Sequence, residues 1–250
     1  MLKKVIRALK SVAAPPPEPD FWARFRHLSG FELEASEREW QQLCLYTEML
    51  HLLVDVPGDI AEFGVGSGIS LLAFVRINDV LQKGLDARAR RRIYAFDSFE
   101  GLPKLSAFDE PSGGASGGAQ MHEGGYSGAT AYASLARFVA AHENVTLVKG
   151  WFSATLPSFI EKHQHLGLAL VHVDCDLFES TRDCLTLVLP RVVPGGIVLF
   201  DELFHPQFPG ETKGFWEVYG ASPVRHEFTM HRSRSMPWKS YLVRGGSSGA

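Results

Sequence analysis

Apolar positions follow two different periods along most of this 250-residue chain. Short apolar runs typical of buried strands alternate with stretches in which apolar residues recur at helical spacing. The strand-like runs are DIAEFGV, RRIYAFD, VTLVKG, LGLALVHVD and GIVLFDE, and the helical stretches are ISLLAFVRINDVLQKG, AYASLARFVAAH, SATLPSFIEKH and STRDCLTLVLP. This alternation predicts a doubly wound α/β fold: a mostly parallel sheet with helices on both faces.

Further segments flank this α/β pattern. Towards the C-terminus, PVRHEFTM and WKSYLVR alternate like exposed-face strands, and we expect an antiparallel hairpin. The predicted boundaries are an N-terminal arm over residues 1–56, one α/β domain over 57–244 and a flexible tail over 245–250. The arm is expected to contain a short helix, a Pro-rich linker and a second helix that begins at a capping box at Ser36.

Residues 103–130 form a long glycine-rich stretch without periodicity. Loops of this length in a compact domain are usually functional lids or disordered segments. A lid that becomes ordered when a ligand binds is the favoured interpretation, and disorder is the alternative.

In the second helix of the arm, apolar residues recur near helical spacing at Trp40, Leu43, Leu50 and Val54, with Thr47 between them. Such a stripe is typical of a packing face. It is therefore predicted to pack on the sheet or against another subunit.

Composition narrows the class of protein. Hydrophobic residues make up 45% and charged residues 21% of the chain, as in ordinary globular proteins. A net charge of −3 provides no basic field for nucleic acid, and no apolar stretch is long enough to cross a membrane. The three cysteines, Cys44, Cys175 and Cys184, form no CxxC pair, which favours a reducing, cytoplasmic location.

Acidic residues follow two consecutive predicted strands at the point where each ends. Asp174 and Asp176 come after ALVHV, and Asp201 and Glu202 after IVLF. A right-handed crossover brings these strand ends together at the edge where open α/β sheets bind ligands. Four carboxyl groups there would repel one another unless a cation lay between them, and oxygen ligands suit Mg²⁺. The alternative is that these acids only cap turns or helices.

The segment EFGVGSG, residues 62–68, lies at a strand-to-helix turn. Its glycines allow a ligand to approach the backbone closely, but the spacing departs from the dinucleotide fingerprint G-x-G-x-x-G. Glu62 would repel a pyrophosphate and can face an ammonium group, while Asp97 can accept hydrogen bonds from ribose hydroxyls. These features favour S-adenosylmethionine, which has a cationic amino-acid end and no phosphate, over NAD.

The ordered set of these motifs resembles a known family. EFGVGSG, YAFDSFEGLP, KGWFSATLP, VDCDLFEST and LPRVVPGGIVLFDE have the order and spacing of the macrocin O-methyltransferase (TylF-like) family, from about Pro57 to Glu217. The resemblance implies a class I methyltransferase fold, S-adenosylmethionine and Mg²⁺ as cofactors, and methylation of a sugar hydroxyl on a glycosylated natural product in antibiotic pathways.

The resemblance also implies residue roles. Asp174, Asp201 and Glu202 would be the metal ligands, and Asp176 the general base, with Asp174 also catalytic. Glu202 stands where the family commonly has a second aspartate, and Cys175 where it has a glycine. The implied donor-binding residues are Glu62, Gly64, Gly66, Gly68, Ser70, Asp97, Ser98, Phe99, Gly150, Trp151, Phe152 and Asp174.

The predicted function is therefore magnesium-dependent O-methylation of a hydroxylated or glycosylated metabolite by residues 57–244. Metal-chelating hydroxyls of the acceptor would orient one oxygen, and Asp176 would take its proton. The alternatives are a catechol-like acceptor with the same donor, or an NAD-binding oxidoreductase. We expect no nucleic-acid or membrane partner, and a homo-oligomer formed through the N-terminal arm.

Three histidines are considered as auxiliary groups. His172 is interpreted as a packing residue that lies one residue off the Asp174 face. His205, in the predicted loop FHPQFPGETKG, is a candidate substrate contact and an alternative base to Asp176. His122, in the glycine-rich stretch, is a further candidate for a substrate contact.

Overall fold

The structure, a computed structural model, describes residues 36–85, 90–111 and 119–245. The predicted first helix, the Pro-rich linker, the centre of the glycine-rich stretch and the tail from residue 246 lie outside this description. The elements are α1 (Glu37–Leu52), β1 (Asp59–Phe63), α2 (Ile69–Leu81), β2 (Ile93–Asp97), α3 (Ala129–Ala140), β3 (Val145–Lys149), α4 (Phe152–Lys162), β4 (Leu168–Val173), α5 (Phe178–Val188), β5 (Val192–Phe200), α6 (Pro209–Ala221), β6 (Phe228–Arg232) and β7 (Ser240–Arg244).

The strands form one seven-stranded sheet in the order β3-β2-β1-β4-β5-β7-β6. Strands β1 to β5 are parallel, whereas β7 is antiparallel to both β5 and β6. The predicted α/β class and the C-terminal hairpin are therefore confirmed. The strand order reverses between β1 and β4, and ligands of such sheets bind at the carboxyl ends of the strands beside that reversal.

Helices cover both faces of the sheet, as the continuous apolar strands predicted. Side chains from α1, α2 and α3 pack with one face, and those from α4, α5 and α6 with the other. All six residues of β4 are buried, which fits a central parallel strand. Among the described residues, no helix combines the length and apolar character that a membrane span requires.

Helix α6 was missed in the sequence, where its first half looks like a loop. Gly210, Gly214 and Gly220 lower its intrinsic helix propensity. Two of them are required by packing, because a Cβ at Gly210 would lie 2.1 Å from Asp109 Oδ1, and one at Gly214 would lie 2.8 Å from the carbonyl oxygen of Phe178. Tertiary contacts, which local propensity does not report, therefore stabilise this helix.

The predicted packing stripe that begins in α1 is only partly right. Leu50 is buried and Leu43 packs against the core, but Trp40 and Val54 are about half exposed, at 47% and 54%. The other buried apolar residues of this segment lie outside the stripe: Leu45, Tyr46, Met49 and Leu53. Apolar residues occur on two sides of this helix, and periodicity alone does not determine which side meets the sheet.

Candidate active site

A cavity of about 1240 Å³ opens at the C-terminal ends of the central strands. Its volume exceeds the roughly 300–1,000 Å³ of typical ligand cavities, so it has room for a donor and an acceptor together. Most of the site residues that the sequence suggested line it: Gly64, Gly66, Ser70, Asp97, Ser98, Gly150, Trp151, Phe152, Asp174, Asp176, Asp201 and Glu202. Three do not: Glu62, Gly68 and Phe99.

The glycine-rich turn between β1 and α2 packs directly against the end of β4. Gly64 has a φ of 93°, and a Cβ there would lie 1.7 Å from the carbonyl oxygen of Asp174. At Gly68, with a φ of 89°, a Cβ would lie 2.3 Å from a methyl group of Leu135 on α3. Only glycine fits either position without movement of the neighbouring atoms. Gly68 therefore shapes the turn from behind the cavity wall.

Asp97, at the end of β2, holds this turn in place. Its Oδ2 accepts hydrogen bonds from the backbone N–H groups of Val65 (2.7 Å) and Gly66 (2.8 Å), and its Oδ1 accepts one from Phe99 (2.5 Å). The ring of Phe99 packs on Tyr132, 4.9 Å between centroids, rather than in the cavity. An ionised carboxylate has about four acceptor positions, so Asp97 can still accept a ribose hydroxyl.

Glu62 and His172 form a fully buried pair on neighbouring strands. His172 Nδ1 lies 3.4 Å from Glu62 Oε1, while Glu62 Oε2 and His172 Nε2 have no hydrogen-bond partner within the described residues. The placement of His172 off the Asp174 face is wrong, because strand side chains repeat every two residues and these two share one side. The predicted packing role is real, since the imidazole contacts the rings of Tyr46 and Phe74.

The ends of β4 and β5 bring the predicted carboxylates together. One ligand atom from each of His172, Asp174 and Asp201 lies within 4.8 Å of the other two. Asp176 has a left-handed backbone, with a φ of 58°. This conformation is uncommon outside glycine and is concentrated at functional sites. The side chain of Glu202 is only 13% exposed, so its charge also belongs to this partly desolvated cluster.

Lys239, immediately before β7, is the site residue that the sequence gave no reason to select. Its side chain is 1% exposed, and its Nζ lies 2.6 Å from Asp201 Oδ2 and 3.8 Å from Glu202 Oε1. Nζ also donates to the backbone carbonyl of Asp201 at 2.6 Å. The acid cluster therefore already contains one positive charge. No local motif indicates this contact, because Lys239 lies 38 residues from Asp201 in the chain.

Burial and charge change the carboxyl pKa values in different directions. Burial, with the neighbouring Asp201 carboxylate, raises the pKa of Asp174 well above its usual value and that of Asp176 to about 7. Burial likewise raises the pKa of Glu202 to about 8. For Asp201, burial opposes ionisation, but the charge and hydrogen bond of Lys239, together with the charge of His172 and a hydrogen bond with Glu202, outweigh it and lower the pKa. One acid is thus ionised against a lysine, and three resist ionisation without further positive charge.

Glu211, on α6, is a further acid that the sequence analysis missed, because its helix was interpreted as a loop. It is fully buried. Its Oε1 accepts the backbone N–H of Glu202 at 2.9 Å, and its own N–H donates to the carbonyl of Asp176 at 3.1 Å. Glu211 therefore ties together the two segments that carry the acids. Burial raises its pKa well above the usual value, which favours the neutral form.

Helix α1 contributes part of the cavity wall through Arg38, Gln42 and Tyr46. These residues are four apart in the chain, so they lie on one face of the helix. Their spacing could have indicated, from the sequence alone, a polar helix face directed towards a ligand site. Burial, followed by the charges of Asp201 and Asp174, raises the pKa of Tyr46. Its hydroxyl therefore stays protonated and available as a donor beside the acids.

The two remaining histidines lie in different surroundings. His205 lines the cavity, with its Nδ1 3.8 Å from Glu202 Oε2, and burial followed by the charge of Lys239 lowers its pKa. His122 is exposed, with Nδ1 beside the carbonyl of Glu123, and does not line the cavity. His205 is therefore placed to contact an acceptor, and His122 is not.

Comparison with known proteins places the chain among related sequences. The family model for macrocin O-methyltransferase (TylF) matches residues 41–218, which is most of the chain. The chain belongs to this family. The family resemblance inferred from the motifs is confirmed.

Two curated relatives in this family are similar over part of their length. One, from Streptomyces olivaceus, is 8-demethyl-8-(2,3-dimethoxy-alpha-L-rhamnosyl)-tetracenomycin-C 4'-O-methyltransferase, 33% identical over 171 residues that cover 64% of this chain and 58% of the relative. The other, from Micromonospora griseorubida, is mycinamicin III 3''-O-methyltransferase, 32% identical over 154 residues that cover 60% and 57%. The matches thus span less than three fifths of either relative.

Solved structures confirm the fold. The calicheamicin methyltransferase CalS11 superposes with a TM-score of 0.71 over 94% of this chain and 95% of that protein, at 24% identity. The fold is that of a class I methyltransferase.

Proposed function

We propose that this protein is an S-adenosylmethionine-dependent O-methyltransferase that uses magnesium and acts on a sugar hydroxyl of a glycosylated small molecule. One observation carries the proposal: the glycine-rich turn and the acid cluster meet at Gly64 and Asp174, in a single cavity. This contact brings a donor site and a charged acceptor site close enough for direct group transfer.

The residues around the glycine-rich turn suit the donor, whose methyl group is carried on a cationic sulfonium. Glu62 does not line the cavity, but it lies two residues before the cavity-lining Gly64, and its buried Oε2 has no partner within the described residues; an ammonium group that reached behind the turn would satisfy it. Asp97 would hold the ribose with its remaining acceptor positions, and Trp151, which is 37% exposed, would cover the adenine. Each of these groups binds or orients the donor; none takes part in breaking the methyl–sulfur bond.

The acid cluster suits a hard divalent cation. Asp174, Asp201 and Glu202 would supply oxygen donors. Burial, with the neighbouring carboxylates, raises the pKa values of Asp174 and Glu202, and a bound cation would favour their ionised forms. When bound, magnesium would supply Lewis acidity that makes an acceptor hydroxyl easier to deprotonate.

Asp176 would receive the acceptor proton at a carboxylate oxygen. A general base works best when its pKa lies near the working pH, and burial raises that of Asp176 to about 7. The hydrogen bond between the Glu211 N–H and the Asp176 carbonyl fixes the backbone of this segment. His205 lines the same cavity and would contact the acceptor, because its lowered pKa keeps the imidazole neutral.

The relatives support a glycosylated acceptor. The Streptomyces olivaceus protein is named for a rhamnosyl tetracenomycin, and CalS11 is described as a TDP-rhamnose 3'-O-methyltransferase. The cavity volume of about 1240 Å³ accommodates acceptors of that size.

Binding and turnover measurements test these parts separately. We expect S-adenosylhomocysteine to bind in isothermal titration calorimetry, and a rhamnosylated acceptor to be methylated in preference to its aglycone and to a catechol. EDTA should abolish turnover and added Mg²⁺ should restore it. Full turnover in EDTA would exclude a role for magnesium, and preference for the catechol would exclude a sugar hydroxyl as the acceptor. Absence of donor binding would contradict the methyltransferase function itself.

We also propose a cytoplasmic homo-oligomer. Cys44, Cys175 and Cys184 are all free thiols, which suits a reducing compartment. Light scattering on the purified protein tests the assembly, and a monomer at micromolar concentration would contradict it.

A further inference from the structure

A buried lysine at a proposed metal site needs a reason, because an ammonium group is costly to bury and repels a metal ion. Lys239 is held there by its own turn. The N–H of Ser233 donates to the carbonyl of Lys239 at 3.0 Å, and the N–H of Lys239 donates to Met236 at 2.8 Å. A compact turn between β6 and β7 thus places the Lys239 side chain beside the acids.

Helix α1 anchors this turn through a single carboxylate. Glu48 accepts hydrogen bonds from the Ser233 hydroxyl (3.0 Å) and from the backbone N–H groups of Arg234 (3.2 Å) and Ser235 (3.1 Å). These bonds draw the pKa of Glu48 below its usual value despite burial. The position of Lys239 is therefore specified by the fold.

At the acid cluster, two of the three ammonium hydrogens are directed to one residue. Nζ contacts both Oδ2 and the backbone oxygen of Asp201 at 2.6 Å, whereas Glu202 Oε1 is 3.8 Å away. No ion pair connects Asp174 or Asp176 to a basic group among the described residues. The lysine therefore pairs directly with the acids at the end of β5, whereas its charge reaches Asp174 and Asp176 after β4 only at longer range.

We propose that Lys239 is a resident cation that competes with the divalent metal for Asp201 and so weakens metal binding. This inference rests on the metal site of the proposed function. In the metal-free protein Lys239 keeps the carboxylates together; when a metal binds, Nζ must release Oδ2 of Asp201. Removal of the lysine charge frees this ligand and removes repulsion of the ion, so the metal binds more tightly.

Binding of Mn²⁺, followed by electron paramagnetic resonance, tests the competition without any catalytic readout. We expect Lys239→Met and Lys239→Gln to lower the Mn²⁺ dissociation constant at least about tenfold, because like charges at such separations interact strongly. Lys239→Arg keeps the charge, although its guanidinium is larger and forked, and should not bind Mn²⁺ more tightly than the parent protein does. Lys162→Met removes an exposed lysine from α4 and is the matched control, with no change expected.

A purely structural lysine predicts a different result. Its neutral variants would be less stable, yet their Mn²⁺ affinity would be equal to or weaker than that of the parent protein, and this outcome overturns the inference. Should both neutral variants fail to fold, a crystal structure of the parent protein at saturating Mg²⁺ decides the question. Nζ still bonded to Oδ2 of Asp201 beside a bound ion overturns the competition; Nζ displaced from Oδ2 supports it.

Failure of the metal site itself gives a separate signature. If neither the parent protein nor the neutral variants bind Mn²⁺ at millimolar concentration, the magnesium part of the proposed function is overturned together with this inference. Donor binding measured by calorimetry on the same samples shows whether the methyltransferase assignment survives.

Discussion

The donor side and the acidic side of the cavity touch at Gly64 and Asp174, yet different forces hold them in shape. On the donor side, backbone N–H groups of the glycine-rich turn are hydrogen bonded to Asp97. On the acidic side, carboxylates are crowded together, and Lys239 is the basic side chain that pairs with them within the described residues. In the described part of the chain, the donor-side turn is held by hydrogen bonds already present, with Glu62 Oε2 behind it left unpaired, whereas the acidic side has more carboxyl groups than its one lysine can pair.

This difference indicates how each side will respond to change. A turn fixed by backbone contacts and sterics tolerates changes of charge but not of volume. A cluster of like charges tolerates modest changes of volume but responds strongly to charge, pH and cations. Four experiments test whether the two sides respond differently.

Asp174→Asn should have the largest effect, because it removes a charge from the acidic side while keeping the size of the side chain. We expect kcat/KM to fall by about a thousandfold or more, and affinity for S-adenosylhomocysteine to stay within about threefold. Asp79→Asn, at a partly buried position on α2 that pairs with Arg90 and does not line the cavity, is the matched control and should change neither quantity. A parallel loss of donor affinity would show that the two sides are not independent.

Gly64→Ala should disrupt the donor side through the added volume and through backbone strain at a φ of 93°. Its Cβ would lie 1.7 Å from the Asp174 carbonyl oxygen, so we expect a loss of at least about 3 kcal/mol in the free energy of unfolding. Gly84→Ala has a similar φ of 96° and no neighbouring atom within 4 Å, so it should cost only about 1–2 kcal/mol. Equal losses in urea unfolding would mean that the contact with β4 is unimportant.

Substitution of Asp109 tests how residues 103–111, the first part of the glycine-rich stretch, are fixed beside the acid cluster. Its Oδ1 accepts the N–H of Phe178 at 2.7 Å, and its Oδ2 accepts both the N–H and the hydroxyl of Ser106 at 2.7 Å. Asp109→Ala leaves these buried donors unpaired and should cost about 2 kcal/mol in urea unfolding. Glu110→Ala, at the exposed neighbour, should be neutral.

The same variant tests the lid prediction for residues 103–130. Faster proteolysis within residues 103–111 in Asp109→Ala than in Glu110→Ala would show that this part is normally anchored. Equal and rapid cleavage in both variants and in the parent protein would contradict anchoring and favour a mobile lid throughout.

The pH dependence of stability should come from the acidic side. The folded pKa of Asp176, about 7, lies above the unfolded value of about 3.9, so the folded protein binds this proton more tightly. That contribution is complete below about pH 4 and is lost as the pH rises through about 7. Without metal, we expect the free energy of unfolding to fall over this range, by at most about 1.4 kcal/mol per pH unit for one proton.

Urea unfolding between about pH 5 and 8 in EDTA measures this slope. Asp176→Asn should reduce the slope without abolishing it, because Asp174, Glu202 and Glu211 also have raised pKa values. Saturating Mg²⁺ should reduce the slope, and Asp79→Asn should leave it unchanged. A free energy of unfolding that increases with pH, or a slope that Asp176→Asn leaves unaltered, would mean that the Asp176 carboxyl group is solvated rather than buried.

Local patterns predicted much of the fold. The apolar runs indicated every strand of the parallel sheet. The acids at the ends of β4 and β5 were expected to meet because a right-handed crossover places the ends of consecutive parallel strands at the same edge of the sheet. Local patterns failed at α6 and at the buried face of α1. In α6 the glycines are selected by contacts with Asp109 and α5, and in α1 two apolar sides compete for one sheet.

Local sequence was enough to predict the order of the five parallel strands and of the helices between them, the position of the glycine-rich turn, and the two acidic strand ends. These are encoded by residues close together in the chain, where period and turn chemistry act directly. Only the tertiary structure decided that Lys239 neutralises Asp201, that Glu211 joins the two acidic segments, and that His172 faces the acids beside Glu62. Each of these contacts joins distant segments, and its energy depends on burial, which arises only when the sheet and its helices have packed.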